Sequence, residues 1–231
     1  MTQLSLIFPV YNERLTIETV LQEWMVRLKQ LKINYEMVVC EDGSTDGTSQ
    51  LLRAIKNKYR LVLNQSVRRR GYGPAVIDGI KTAKGEYLLS VDSDGQCDPA
   101  DFISFWKRRG ARQVIIGWRK KRVDAPQRLL FSYLFHQVFS RLFPTSIHDP
   151  SAPFVLYRKK DIIPHLDSLV FLKEGFWWGF VAMCVKNKIP LIELPIHHRA
   201  RLNGNTQVYR VVRLPKIIWS NLFGLIRLRL A

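Results

Sequence analysis

Short apolar segments alternate with segments of helical hydrophobic spacing over the first half of the chain. Strands are predicted at residues 4–10, 35–41, 60–64, 85–92 and 113–118, with a predicted helix after each of the first four. Strands that alternate with helices indicate βαβ units and a mostly parallel sheet. The predicted strands are apolar throughout, as expected when helices cover both faces of the sheet. Because ligands of such sheets bind at the carboxyl ends of the strands, the segments that follow strands are the first candidates for a site.

The pattern changes after residue 118. A basic turn leads into a long predicted helix, and a strand at 154–158, a helix at 176–188 and a strand at 190–198 follow. The last segment has apolar residues near helical spacing, and from Arg199 onwards it has seven basic residues and no acid. We therefore expect one domain over 1–209 and an amphipathic helix over 210–231 on a membrane surface. A helix docked on the domain is the alternative.

Three carboxylates and an amide lie within seven positions that begin with the last residue of the fourth predicted strand: Asp92, Asp94, Gln96 and Asp98. Asp92 and Asp94 could share one divalent cation, and Gln96 could add a carbonyl oxygen. Oxygen ligands suit Mg²⁺ or Mn²⁺, which bind substrate phosphates. A solvated turn would explain the Asp-x-Asp tripeptide by itself, but its position at the ligand edge of the sheet favours a metal site.

Two further segments follow strands at the same expected edge. Glu41 and Asp42 end the second strand, where a carboxylate could accept hydrogen bonds from a base or a ribose. Tyr11 follows the first strand and could stack on a nucleobase, or it could pack at the rim of the sheet. The residues after Asp42 read as a turn and a helix cap.

Four motifs together resemble one large family. The segments FPVYNE, EDGSTDGT, RRRGYGPAVIDGI and VDSDGQCDP have the order and spacing of the inverting glycosyltransferases with the GT-A fold. Within that family the chain resembles the branch of dolichol-phosphate mannose synthases and polyprenyl-phosphate glycosyltransferases, over residues 4–206. The resemblance implies an α/β, Rossmann-like GT-A fold, with a mostly parallel sheet flanked by helices. It also implies a metal-dependent hexosyltransferase with a GDP- or UDP-linked sugar as donor and a polyprenyl or dolichyl phosphate as acceptor.

The same resemblance implies roles for individual residues. The nucleotide-sugar would be bound by Pro9, Tyr11, Glu13, Glu41, Asp42, Arg70, Gly71 and Asp92. The metal, Mg²⁺ or Mn²⁺, would be held by Asp92, Asp94 and Gln96. The catalytic set would be Asp92, Asp94, Arg119, Arg128 and Arg201. Many relatives have Asp at the position of Glu41.

Arg119 and Arg128 match arginines that contact the acceptor phosphate in this branch. A guanidinium group presents a planar fork to phosphate oxygens, so arginine suits this use. Arg201, Gly204 and Thr206 fit the mobile Arg-x-x-Gly-x-Ser loop of the family. Such a loop would order over the substrates and exclude water.

The chain departs from the branch at two places. The segment HDPSAPF has Ala152 and Pro153 where relatives have Ser-Gly, so a hydroxyl for the acceptor phosphate is missing unless Ser151 substitutes. In EGFWWGF, Trp178 occupies the place of an acidic residue that often serves as a base, and Glu174 lies one turn earlier. A sugar hydroxyl needs a base, whereas a phosphate is already anionic. The departure favours a lipid phosphate; a saccharide acceptor with Glu174 as base is the alternative. For Trp177 and Trp178 themselves, packing in the core or at the membrane edge is the plainer interpretation, ahead of stacking on a sugar.

The charge balance indicates a polyanionic partner. The formal net charge is +17, and residues 107–141 hold ten basic residues and one acid. We expect an anionic membrane surface and no nucleic acid, since RNA- and DNA-binding signatures are lacking and the basic residues accompany apolar helices. A catalytically silent scaffold is disfavoured by the retained metal-site residues.

The first 13 residues lack the charged and apolar regions of a secretion signal. No stretch reaches the roughly 20 uncharged apolar residues of a membrane span. The three cysteines have no metal or disulfide spacing. We therefore expect a cytoplasmic protein that is peripheral on the cytoplasmic face of a membrane.

Overall fold

The computed structural model describes residues 2–110, 113–120, 126–172, 175–202 and 214–230. These residues form a seven-stranded sheet. Its strands are β1 (Leu4–Val10), β2 (Tyr35–Glu41), β3 (Leu61–Gln65), β4 (Tyr87–Ser90), β5 (Val114–Trp118), β6 (Val155–Arg158) and β7 (Leu191–Pro195).

Helices follow most of the strands. They are α1 (Ile17–Gln30), α2 (Thr48–Tyr59), α3 (Tyr72–Thr82), α4 (Phe102–Arg108), α5 (Pro126–Leu142), α6 (Lys159–Ile162), α7 (Phe176–Lys186) and α8 (Leu214–Leu230). Short 3₁₀ helices lie at Pro99–Asp101 and Ile163–Leu169. The hydrophobic pattern predicted the strands and the longer helices, whereas α6 and the second 3₁₀ helix were missed.

The strand order of the sheet is β3-β2-β1-β4-β6-β5-β7. β6 runs antiparallel to β4 and β5, and the other neighbouring strands are parallel. The prediction of a mostly parallel α/β sheet is therefore confirmed. Since β2, β1 and β4 are parallel neighbours, their carboxyl ends lie side by side, and this brings the predicted acidic segments to one edge.

Both faces of the sheet are buried under helices. Ile7 and Leu88 belong to a core layer formed with α3 and α7, while Phe8 and Leu89 belong to a second layer formed with α1, α2 and α4. Successive residues of a strand point to opposite faces, so a strand that is covered on both sides is apolar at most positions. This explains the continuous apolar runs in the sequence.

The C-terminal helix α8 packs against α7 and α5 by one face. Leu225 and Leu228 are 1% and 2% exposed, whereas Trp219 and Phe223 on the outer face are 72% and 68% exposed. Gly224 allows a close approach, because a Cβ atom there would lie 2.4 Å from the side chain of Leu172. The helix is thus docked and also presents large apolar side chains to solvent. Within the described ranges, no helix combines the length and the apolar content that crossing a membrane requires.

Candidate active site

Asp92 follows β4 and is hydrogen-bonded to the start of α3. Its Oδ1 atom accepts a hydrogen bond of 2.7 Å from the hydroxyl of Tyr72, the first residue of α3. Burial and the neighbouring negative charge of Asp94 raise the pKa of Asp92 to about 7, while the Tyr72 hydrogen bond and the charges of Arg119 and Arg201 act in the opposite direction. A buried carboxylate with a like charge beside it is a group that a cation would stabilise.

Asp94 lies beside Asp92 and is already paired with an arginine. Its Oδ2 atom accepts a bond of 2.9 Å from Arg201 Nη2, and its Oδ1 atom accepts from the backbone N–H of Gln96 at 3.0 Å. Arg201 Nη1 donates to Oε1 of Glu13 at 2.9 Å. The guanidinium group therefore bridges two acids that come from the ends of β1 and β4.

Gln96 supplies the neutral oxygen of this group. Its amide nitrogen donates to the carbonyl oxygen of Arg199 at 3.2 Å, which leaves the amide oxygen for another partner. Asp98 instead begins the first 3₁₀ helix, where it accepts from the N–H of Ala100 and pairs with Arg199. The sequence placed both residues in one acidic cluster; in the structure Gln96 is bonded to Asp94 through its backbone N–H, whereas Asp98 pairs with Arg199.

The donor set of Asp92, Asp94 and Gln96 is chemically suited to a hard divalent cation, because all its ligand atoms are oxygens. Among the described residues, no group of three or more His, Cys, Asp or Glu side chains is arranged to hold a metal by itself. An ion at this pair would complete its shell with water and substrate phosphate, as Mg²⁺ commonly does.

The end of β1 is tied to the same edge. Glu13 is buried, its carboxylate accepts from the Thr16 hydroxyl at 2.6 Å, and burial raises its pKa. The carbonyl oxygen of Pro9 accepts from the hydroxyl of Ser93 at 2.8 Å. Pro9 thus holds β1 to the segment between the two aspartates through its backbone.

Asp42, at the end of β2, is buried and holds the segment before α3. Its two carboxylate oxygens accept the backbone N–H groups of Arg70 and Gly71, each at 2.8 Å. Gly71 has a φ of 116°, which a residue with a side chain rarely adopts. Burial raises the pKa of Asp42, and the two N–H groups oppose that shift. The guanidinium of Arg70 pairs with Asp78 at 2.5 Å.

Glu41 and Tyr11 flank Asp42 at this edge. Glu41 is buried and accepts from the backbone N–H of Ser44, so it closes the turn after β2. The guanidinium carbon of Arg69 lies 4.2 Å from the centre of the Tyr11 ring, a cation–π distance. One face of the ring is therefore already covered.

A cavity of about 390 Å³ lies between β5, α5 and the segment before β6. Its lining residues are Trp118, Arg119, Leu129, Ser132, Tyr133, His136, Gln137, His148, Asp149, Pro150 and Trp178. Arg119 and Asp149 are buried, and the guanidinium group donates from Nε to Oδ2 at 2.7 Å and from Nη2 to Oδ1 at 2.9 Å. The Ser151 hydroxyl accepts from Arg119 Nη2 at 2.8 Å and donates to Asp149 at 2.9 Å. Ser151 therefore contacts Arg119, the residue that the family resemblance assigns to the acceptor phosphate.

The two tryptophans at the start of α7 serve different parts of the molecule. Trp178 is buried against Phe135 and Phe139 of α5, with ring centroids 4.8 and 4.9 Å apart, and it lines the cavity. Trp177 is also buried and donates its indole N–H to the Tyr72 hydroxyl at 2.8 Å. The plainer interpretation of Trp178, packing in the core, is therefore confirmed.

The structure brings together Glu13, Asp92, Asp94, Gln96 and Arg201 at one edge of the sheet, beside Asp42 and the segment that it holds. Arg119 lies in the cavity, close enough for its charge to affect the pKa of Asp92. The backbone of α5 includes Arg128, but its side chain lies outside the described part of the chain. Glu174, Gly204 and Thr206 also lie outside it.

Sequence reasoning missed Tyr72 as a site residue and assigned Trp177 to packing alone. Tyr72 carried one usable signal, since it follows a strand and opens a helix at the ligand edge. Trp177 carried none, because its contact with Tyr72 joins residues 105 positions apart.

Comparison with solved structures defines the class of the fold. Glucosyl-3-phosphoglycerate synthase from Mycobacterium tuberculosis superposes with a TM-score of 0.70 at 16% identity, covering 98% of this chain and 80% of that chain. Mannosyl-3-phosphoglycerate synthase from Rubrobacter xylanophilus gives 0.64 at 13% identity, covering 98% and 73%. The fold is GT-A-like, as the motif resemblance implied.

The sequence model of glycosyl transferase family 2 matches residues 5–165, and the chain belongs to this family. It is similar to the dodecaprenyl-phosphate galacturonate synthase of Rhizobium johnstonii, with 26% identity over 94% of this chain and 64% of the relative. It is also similar to the dolichyl-phosphate beta-glucosyltransferase of Dictyostelium discoideum, with 27% identity over 84% of this chain and 65% of the relative. The chain thus spans slightly less than two thirds of the length of these relatives.

Proposed function

We propose that this chain transfers a sugar from a nucleotide-sugar to a polyprenyl or dolichyl phosphate at a membrane surface. The observation that carries the proposal is the cavity that contains Arg119. Its lining combines an arginine, a residue type that binds phosphate, with side chains of the apolar helix α5. A lipid phosphate has both chemistries, an anionic head and an apolar chain. The names of the similar proteins from Rhizobium johnstonii and Dictyostelium discoideum describe sugar transfer with such lipid phosphates.

The donor would bind along the edge formed by β1, β2 and β4. Asp42 and Tyr11 would contact the nucleoside, with Pro9, Glu13, Glu41, Arg70 and Gly71 shaping the site. A divalent cation held by Asp92, Asp94 and Gln96 would offset the charge of the donor diphosphate. The Mycobacterium tuberculosis synthase has been crystallised with Mn²⁺ and uridine-diphosphate-glucose, which supports Mn²⁺ or Mg²⁺ and a UDP-sugar as first choices, with a GDP-sugar as the alternative.

The acceptor phosphate would enter the cavity and approach Arg119, whose orientation is fixed by Asp149. One of its oxygens would attack the anomeric carbon of the sugar from the side opposite the nucleotide. The bond from that carbon to the diphosphate breaks as the new carbon–oxygen bond forms, so the configuration inverts. The phosphate oxygen is already anionic and needs no general base. Arg201, next to Asp94, would place positive charge near the departing diphosphate, and Arg128 would add a second contact to the acceptor.

The outer surface beside the cavity suits a lipid bilayer. Two helices that contact each other, α5 and α8, expose large apolar side chains: Leu129, Leu130, Phe131, Tyr133, Leu134 and Val138 on α5, and Trp219, Phe223, Ile226 and Leu230 on α8. With a net charge of +17, attraction to an anionic cytoplasmic leaflet would add to this apolar contact. In this proposal residues 1–209 carry the chemistry, residues 210–231 carry part of the membrane contact, and the protein is peripheral on the cytoplasmic face.

The test is transfer of labelled sugar to an extracted glycolipid. The chain is incubated with UDP- and GDP-sugars in turn, Mg²⁺ or Mn²⁺, and undecaprenyl phosphate in anionic vesicles. Undecaprenol, which lacks the phosphate, is the matched control acceptor and should give no product. Transfer to a soluble saccharide with none to the lipid phosphate would overturn the proposal.

A further inference from the structure

A hydrogen-bonded relay connects α7 with Asp92. The indole N–H of Trp177 donates to the hydroxyl oxygen of Tyr72 at 2.8 Å, and that hydroxyl lies 2.7 Å from Oδ1 of Asp92. An indole nitrogen can only donate a hydrogen bond, so the Tyr72 oxygen must accept from Trp177. The Tyr72 proton is then directed at Asp92. The direction of both hydrogen bonds is thus determined by the chemistry of the indole.

The relay is held on rigid supports at both ends. The Trp177 ring packs against Phe176 and Phe180, with centroid distances of 5.0 and 5.3 Å. At the other end, Tyr72 directly follows Gly71, whose backbone N–H is bound to Asp42. Trp177 is buried in a core layer and Tyr72 packs half-buried against the same layer, so the hydroxyl is held between the indole and Asp92.

The three residues before and at the start of α3 therefore hold two acids from different strands. The N–H groups of Arg70 and Gly71 bind Asp42 after β2, and the Tyr72 hydroxyl binds Asp92 after β4. Under the proposed function these acids serve opposite ends of the donor, the nucleoside and the diphosphate. One short segment thus sets the distance between the two ends of the donor site.

We propose that Tyr72 and Trp177 are positioning residues for Asp92, an inference that rests on the proposed function. The relay holds Oδ1, so the carboxylate keeps one orientation. Its Oδ2 atom is left for the divalent cation that would bind the donor diphosphate. Partners of this kind behind a metal-ligating or phosphate-facing carboxylate change affinity although they touch no substrate. Helix α7 thus contributes to the donor site through Trp177 and its hydrogen bond to Tyr72.

The first experiment removes the Tyr72 hydroxyl alone. Tyr72→Phe is compared with Tyr157→Phe, which also removes a buried hydroxyl. That hydroxyl lies 2.9 Å from the hydroxyl of Ser90 and is paired with it rather than with Asp92. Binding of UDP and of GDP, each with Mn²⁺, is measured by titration calorimetry. We expect Tyr72→Phe to weaken binding by about 10- to 100-fold, the range found for such supporting partners, and Tyr157→Phe to leave it within about twofold.

The second experiment tests whether Trp177 acts through Tyr72. Trp177→Phe should weaken binding, and the double variant with Tyr72→Phe should bind no more weakly than Tyr72→Phe alone, since residues in one network are not additive. In ¹⁵N-labelled protein without ligand, the indole N–H resonance that disappears in Trp177→Phe should shift in Tyr72→Phe and stay in place in Tyr157→Phe. Additive losses, or an unmoved resonance, would overturn the relay.

The outcomes separate this inference from the proposed function. If the unmodified chain binds a nucleoside diphosphate with Mn²⁺ and Tyr72→Phe binds it equally well, the positioning role is wrong and the proposed function stands. If the unmodified chain binds neither nucleotide, the proposed function fails and the inference fails with it. Thermal unfolding of each variant is recorded so that a folding defect is recognised. The shift of the indole resonance tests the hydrogen bond between Trp177 and Tyr72 independently of nucleotide affinity.

Discussion

The two faces of α8 should respond differently to substitution. Leu228 is 2% exposed and lies in the core layer that includes α7, whereas Trp219 and Phe223 are 72% and 68% exposed. Under the proposed function the inner face stabilises the fold and the outer face contacts the bilayer. Leu228→Ala and the double variant Trp219→Ala/Phe223→Ala separate these contributions.

The magnitudes follow from burial. Removing the side chain of a buried leucine costs about 2–5 kcal/mol of the free energy of unfolding, because transfer energy is lost and a cavity remains. Exposed positions usually change stability by no more than about 0.5 kcal/mol. If the bilayer buries each outer aromatic side chain, its contribution is about 1.5 kcal/mol at the lower end of the usual range. That is about tenfold in partitioning for each residue and about a hundredfold for both.

Two measurements check these numbers, denaturant unfolding for stability and co-sedimentation with anionic vesicles for partitioning. Leu228→Ala should lower stability, and the double variant should remain stable but stay in the supernatant. Added salt should release the unmodified protein only in part, since screening acts on charge over about 10 Å at 0.1 M and leaves the apolar contact. Unchanged sedimentation of the double variant would refute the membrane role of this face.

Three further predictions concern the site. Asp94→Ala should abolish sugar transfer without unfolding the chain. Removal of divalent ions with EDTA should also abolish transfer, and adding the ions back should restore it. Normal turnover in a radiolabel assay under either condition would exclude the metal site. Arg119→Ala should raise KM for the lipid phosphate more than KM for the nucleotide-sugar. The lost binding free energy should be roughly 1.5–3 kcal/mol, the contribution of a charged hydrogen bond. Equal effects on both substrates would contradict its assignment to the acceptor. Gly71→Ala should cost about 1–3 kcal/mol in thermal or denaturant unfolding because its φ of 116° is strained for alanine. Gly110→Ala, where an added Cβ meets no atom of the described residues within 4 Å, should be nearly neutral.

The sequence by itself determined the fold class of this protein and the edge of the sheet at which the acids lie. Alternating strands and helices predicted the sheet, and the acids after strands predicted a shared edge because parallel neighbours end together. Parallel pairing of the strands was enough to predict that Asp42, Asp92 and Glu13 lie at that edge, without further information on long-range contacts. The family motifs then gave each of these positions an expected role.

Only the tertiary structure decided which distant residues complete the site. The antiparallel insertion of β6 between β4 and β5 has no local signal, because the hydrophobic pattern of a strand does not indicate which strands it pairs with. The bonds from Arg201 to Asp94 and from Trp177 to Tyr72 span 107 and 105 residues. For α8, helical spacing showed that an apolar face exists but not what covers it. Periodicity is a property of one segment, whereas burial depends on what the rest of the chain places against it.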